Sequence, residues 1–170
     1  MKRFTDAIES SVQTQNWYAA IALTLTMPDI CGALETPEAG NGVRYKRWFA
    51  AWMEPNYTTV LPKIGRHVFL SAENCWGLRC SYLHAGNGEI RPGKVKQVLE
   101  SFHFIEPPPG NNTIHLNQVG RALQLQTDIF CREMIAAVLA WQDTVKDDAD
   151  IESRRQDLLQ IHNFVPGINY

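Results

Sequence analysis

The apolar residues of this chain recur at the helical period, and this constrains the fold more than any other feature. Between Val119 and Val145, Leu123, Phe130, Met134, Val138, Trp141 and Val145 fall on one stripe of a helix. Leu125, Ile129, Ile135 and Leu139 add a second stripe, so the segment reads as a long helix buried on more than one side. A strand, whose side chains alternate every second residue, cannot align such a set on one face.

The same period organises most of the chain. Phe4, Ile8 and Val12 mark a first helix over residues 3–14. Asn16 can cap a second, running through Trp17, Ala20, Ile21, Leu23 and Leu25, which Pro28 kinks or ends. Asp29 starts a further turn or two towards Glu35, and residues 36–42 form a loop. From Val43 to Met53, Tyr45, Trp48, Phe49, Trp52 and Met53 share a helix face. Pro55, Pro62 and Gly65 make residues 54–66 a connection with at most one helical turn. Ser71 can cap a helix to His84, which Gly86 or Gly88 ends, and residues 89–94 connect onward. The period then changes. Residues 98–105 are rich in aromatic and β-branched side chains, PPPGNN turns the chain, and residues 113–117 return. This predicts a β-hairpin with His103 and His115 as cross-strand neighbours. Asp147 to Asp150 close the long helix and cap a last one over 151–163. The reading is mainly α: a single helical domain over residues 1–170, a five- to six-helix bundle with one inserted β-hairpin at 97–118.

Composition narrows the functional classes. A chain of 170 residues with 16 Lys+Arg against 18 Asp+Glu has a formal charge of -2. That excludes binding to nucleic acid through bulk charge and leaves room for a local basic groove. The longest apolar run, Trp17 to Met27, is interrupted by threonines and stopped by Pro28, so it is expected to be too short for a bilayer. The opening Met-Lys-Arg-Phe-Thr-Asp lacks the apolar stretch of a signal peptide. Cys31, Cys75, Cys80 and Cys131 are widely spaced, with no CxxC pair, and read as reduced thiols in a cytoplasmic protein. Two hairpin histidines without a third ligand make a poor metal site, and no glycine-rich loop follows a strand, so neither metal nor cofactor is expected.

The segment Ser71 to Gly86, SAENCWGLRCSYLHAG, carries the candidate chemistry. On a helical wheel Ala72, Cys75, Trp76 and Leu83 form an apolar stripe with Arg79 in its middle. An unpaired guanidinium there costs several kcal/mol, so Arg79 must meet a carboxylate such as Asp29, Glu35 or Glu73, line a cleft, or face a partner subunit. His84 stands at the helix end, where terminal carbonyls favour its protonated form. Glu73 shares a helix edge with His84 but lies about 16 Å along it, and so can support the site only through a second subunit. Arg44, Lys46 and Arg47 form the wet face of their helix and can also bind phosphate beside Trp48.

The run Leu78-Arg79-Cys80-Ser81-Tyr82-Leu83-His84-Ala85-Gly86 resembles the signature of the HEPN superfamily: an Arg, four to six residues and a His near the end of a helix in an α-helical bundle. In catalytic members the Arg and His of two subunits meet across a dimer interface as a metal-independent endoribonuclease site. The resemblance implies that Arg79 binds the scissile phosphate, a role suited to its planar fork. It implies that His84 transfers protons at the ribose 2'-hydroxyl or the leaving oxygen. It also implies a homodimer, RNA as substrate, a toxin or phage-defence role, and a cognate antitoxin. More widely, the chain resembles a set of bacterial proteins in which PDICG and Cys-x-x-LRC-x-x-LH recur, a likeness that implies no activity. Arg155 and His162 form a second match to the spacing, on the expected last helix. Many catalytic members have a polar residue directly after the Arg, whereas this chain has Cys80. The alternative is therefore a non-catalytic HEPN-like binding or dimerisation module, which an internal ion pair closing off Arg79 would favour.

Overall fold

The structure, a computed structural model, describes residues 1–83 and 101–162. Among these residues the chain folds into six helices: α1 (Lys2–Gln13), α2 (Trp17–Glu35), α3 (Asn41–Trp52), α4 (Ala72–Leu83), α5 (Thr127–Thr144) and α6 (Ala149–Gln156). The mainly α reading holds. Helix α2 is the hub, and it packs against each of the other five. Asn16 begins it, its side-chain oxygen accepting the Ala19 N–H at 3.4 Å. Pro28 neither ends nor divides it, and the helix runs on to Glu35. Proline lacks only the N–H that would bond Thr24, and burial of Ala20, Ile21, Leu25, Met27, Cys31 and Leu34 outweighs that loss. The expected short apolar run is thus part of a 19-residue helix, long and apolar enough by composition to cross a membrane, with half of its tested window buried inside the bundle.

The core is aromatic. Trp48, Trp141, Tyr45, Tyr57, Phe49 and Phe130 are fully enclosed, while Trp17, Trp52 and Trp76 pack partly buried at its margin. Trp141 meets Trp48 edge-on at 6.4 Å and donates its indole N–H to Glu35 at 2.7 Å. Cys31, Cys75 and Cys131 are buried free thiols, and Cys80 is half-buried.

The β structure differs from expectation in three places. The connection after α3 holds a 3₁₀ turn (Glu54–Tyr57) and then an antiparallel hairpin, β1 (Thr58–Leu61) with β2 (Gly65–Val68). Residues 102–105 do form a strand, β3, but it pairs in parallel with β5 (Ala122–Gln126). The antiparallel partner of β5 is β4 (Asn117–Val119), joined to it by a turn in which Gly120 takes φ +62°. Residues 97–100 of the expected hairpin lie outside the described residues. The long helix therefore begins at Thr127 rather than Val119, because Leu123 and Leu125 serve a sheet. His103 faces Gln124 across β3–β5, and His115 lies outside the strands, so the two are not cross-strand neighbours. The last helix stops at Gln156, started by Asp148, whose carboxylate accepts the N–H groups of Asp150 and Ile151, both at 3.0 Å.

Candidate functional site

Helix α4 starts on two external acceptors. The Ser71 hydroxyl accepts the Asn74 N–H at 3.2 Å, and the Glu54 carboxylate accepts the Ala72 N–H at 2.9 Å. Its buried residues are Ala72, Cys75, Leu78 and Ser81, one per turn. Ala72 and Cys75 of the expected stripe are buried, but Trp76 and Leu83 are only half-buried, so the inward face turns towards Leu78 and Ser81. Arg79 falls between Ala72 and Cys75 on the wheel, at the edge of that face, with its side chain 14% exposed.

Arg79 meets Asp29, one of the three carboxylates the sequence offered it. Its Nη2 donates to Asp29 Oδ2 at 3.2 Å, while the other oxygen of Asp29 accepts Arg44 Nε at 3.1 Å. Asp29 comes from α2, Arg44 from α3 and Arg79 from α4, so one carboxylate joins three helices. Close backbone packing makes this possible. Gly32, one turn after Asp29, lies so near α3 that a Cβ would stand 2.7 Å from the Arg44 carbonyl oxygen. The Arg79 guanidinium lies over the Trp76 indole, 5.2 Å from a ring centroid. Trp76 in turn packs against Gly42, where a Cβ would meet the indole at 3.3 Å, and lies 5.1 Å from the Tyr45 ring. Burial raises the Cys80 thiol above its ordinary range, and the neighbouring Arg79 opposes that shift.

The other sequence candidates separate. Lys46 pairs with Glu73 at 2.7 Å, so Glu73 serves α3 at the start of α4 and does not reach Arg79. Arg47 is exposed. Glu35 is committed to Trp141. His84 lies outside the described residues. The end of α4 is tied to the first turn of α2, where the Tyr82 hydroxyl donates to the Tyr18 carbonyl at 3.1 Å. The second Arg/His match does not share a helix: Arg155 is on α6, held by Glu152 through two bonds of 2.8 Å, and His162 lies beyond the helix end. These bonds lower the Glu152 carboxyl and raise the Arg155 guanidinium from their ordinary values. Arg155 lines a cleft of about 310 Å³ between α1 and α6, away from Arg79.

One polar cluster has no counterpart in the sequence reading. The Tyr57 hydroxyl donates to Glu133 Oε2, and His115 Nε2 lies 3.4 Å from the same oxygen. The other ring nitrogen of His115 accepts the Gln126 N–H at 3.2 Å. Burial, then the Glu133 charge, push the Tyr57 hydroxyl well above its ordinary range. These residues come from four separate segments, and no local pattern signals their meeting.

Comparison with protein-family models, with curated proteins and with solved structures gives no match.

Proposed function

We propose that this chain is an HEPN-like, metal-independent endoribonuclease whose composite site forms at a homodimer interface. The observation that carries the reading is the convergence of Arg44 and Arg79 on Asp29. Sequence reasoning named both arginines for contact with RNA phosphate, and the fold brings them from different helices to one carboxylate. All three side chains keep 14–19% exposure, so they edge on solvent rather than lying sealed in the core. In this reading Arg79 grips the scissile phosphate, Arg44 adds a second guanidinium, and His84 moves the proton at the ribose 2'-hydroxyl or the leaving oxygen. Lys46 and Arg47 extend the contact to flanking phosphates, and Glu73 steers Lys46. A toxin or phage-defence role in the cytoplasm, held in check by a cognate antitoxin, belongs to the same proposal.

A second reading, a non-catalytic HEPN-like binding or dimerisation module, draws on the Asp29–Arg79 pair itself and on Cys80 next to it. RNA cleavage separates the two. Purified protein is expected to cleave RNA in EDTA, and Arg79→Lys and His84→Ala are each expected to abolish cleavage while the far-UV spectrum stays unchanged. Wild-type protein without cleavage, or variants that cleave as well as wild type, favour the module.

A further inference from the structure

We propose that Asp29 gates this site: its carboxylate occupies the place of an RNA phosphate and holds Arg44 and Arg79 until a phosphodiester displaces it. The inference rests on the ribonuclease reading above and concerns regulation of the same residues. Asp29 gives one oxygen to each guanidinium, at 3.1 and 3.2 Å. Two oxygens on one centre, each taken by a different arginine, is also what a phosphodiester offers. The two other acids that the sequence offered to Arg79 are engaged elsewhere, Glu73 by Lys46 and Glu35 by Trp141.

The geometry makes the arginines the moving parts. Asp29 follows Pro28 in the continuous helix α2, and Gly32 one turn on is wedged against the Arg44 carbonyl, so the carboxylate has a fixed base. The guanidiniums ride on long flexible stems and can turn from Asp29 towards an incoming phosphate without backbone movement. Trp76 gives Arg79 a flat surface over which to slide. Asp29 then has two opposite effects. It keeps the arginines positioned at rest, and it competes with RNA for them.

The test is binding of a 2'-O-methyl RNA oligonucleotide, which presents phosphodiesters but cannot be cut, measured at fixed salt. Asp29→Asn keeps the shape of the side chain and removes its charge. It is expected to tighten binding about tenfold, and adding Arg44→Gln is expected to cancel the gain. A folded Asp29→Asn protein that binds no better than wild type overturns the proposal. Should the variant not fold, the wild-type protein decides. The Arg44 and Arg79 side-chain N–H resonances are expected to shift together as the oligonucleotide is added, and resonances that stay in place overturn the gate. Failure of the ribonuclease reading has a different signature. Wild-type protein that never cleaves RNA, with Asp29→Asn still tightening binding, removes the nuclease and leaves the gate.

Discussion

Arg79 lies at the edge of the buried face of α4, and this placement decides its environment. A guanidinium inside the stripe would need full burial, whereas at its edge the group reaches Asp29 and still retains 14% exposure. Replacing it with Ala leaves Asp29 paired with Arg44 alone and removes packing on Trp76. The expected loss is about 2–4 kcal/mol, read from a urea unfolding curve. A loss under half a kcal/mol would mean that the pair holds nothing together. Gly32 is the second residue on which the cluster depends. Gly32→Ala forces α2 and α3 apart by the Cβ contact at 2.7 Å, with an expected cost of about 1–3 kcal/mol in the same experiment. Asp29 was readable in the sequence as one of three candidate acids, because a cation near an apolar stripe needs a carboxylate. Its sharing with Arg44 was not, since helix-wheel reasoning orients residues within a helix and says nothing of which helices meet. The Tyr57–Glu133–His115 cluster was hidden for the same reason.

At the scale of elements, the helices followed from periodicity and β3 from its aromatic and β-branched run, but the other strands and the pairing did not. Leu123 and Leu125 continue the stripe of α5 when read at the helical period, yet they alternate with Gln124 and Gln126 and pack as strand β5. The Leu-Gln-Leu-Gln alternation was the available signal, and the seven-residue step from Leu123 to Phe130 concealed it. The β1–β2 hairpin also had a signal, the β-branched run Thr58-Thr59-Val60, obscured by Pro62 in its turn and Gly65 at the start of β2. The parallel pairing of β3 with β5 is long-range and lies beyond any local pattern. It predicts that β5, paired on both edges, exchanges its amide hydrogens more slowly than β4, whose three residues are all exposed. Equal exchange in the two strands would contradict the sheet order. Pro28 shows the opposite case: a local breaker that does not end the helix, because burial of one broad face of α2 outweighs it.

The whole molecule is a set of helices around one aromatic core, and its buried acids predict its behaviour in alkali. Burial lifts the Cys75 thiol from 9.0 to about 12, and the Tyr45 and Tyr57 hydroxyls rise well above 10.0. In the unfolded chain these groups lose their protons at ordinary pH values, so above them the unfolded state binds fewer protons than the folded one. Stability from this source is therefore complete below about pH 9 and falls as the pH rises through about 12. Thermal melts from pH 7 to 11 check the sign, and a melting temperature that rises above pH 9 would contradict it. Assembly is the larger question at this scale, because the proposed composite site draws residues from two chains. It is tested most directly by mixing inactive Arg79→Lys and His84→Ala proteins after unfolding and refolding them together. Heterodimers carry one site with both native residues, so the account predicts recovery of about a quarter of the wild-type RNA cleavage rate. A mixture that forms dimers and stays as inactive as its components would contradict a composite site.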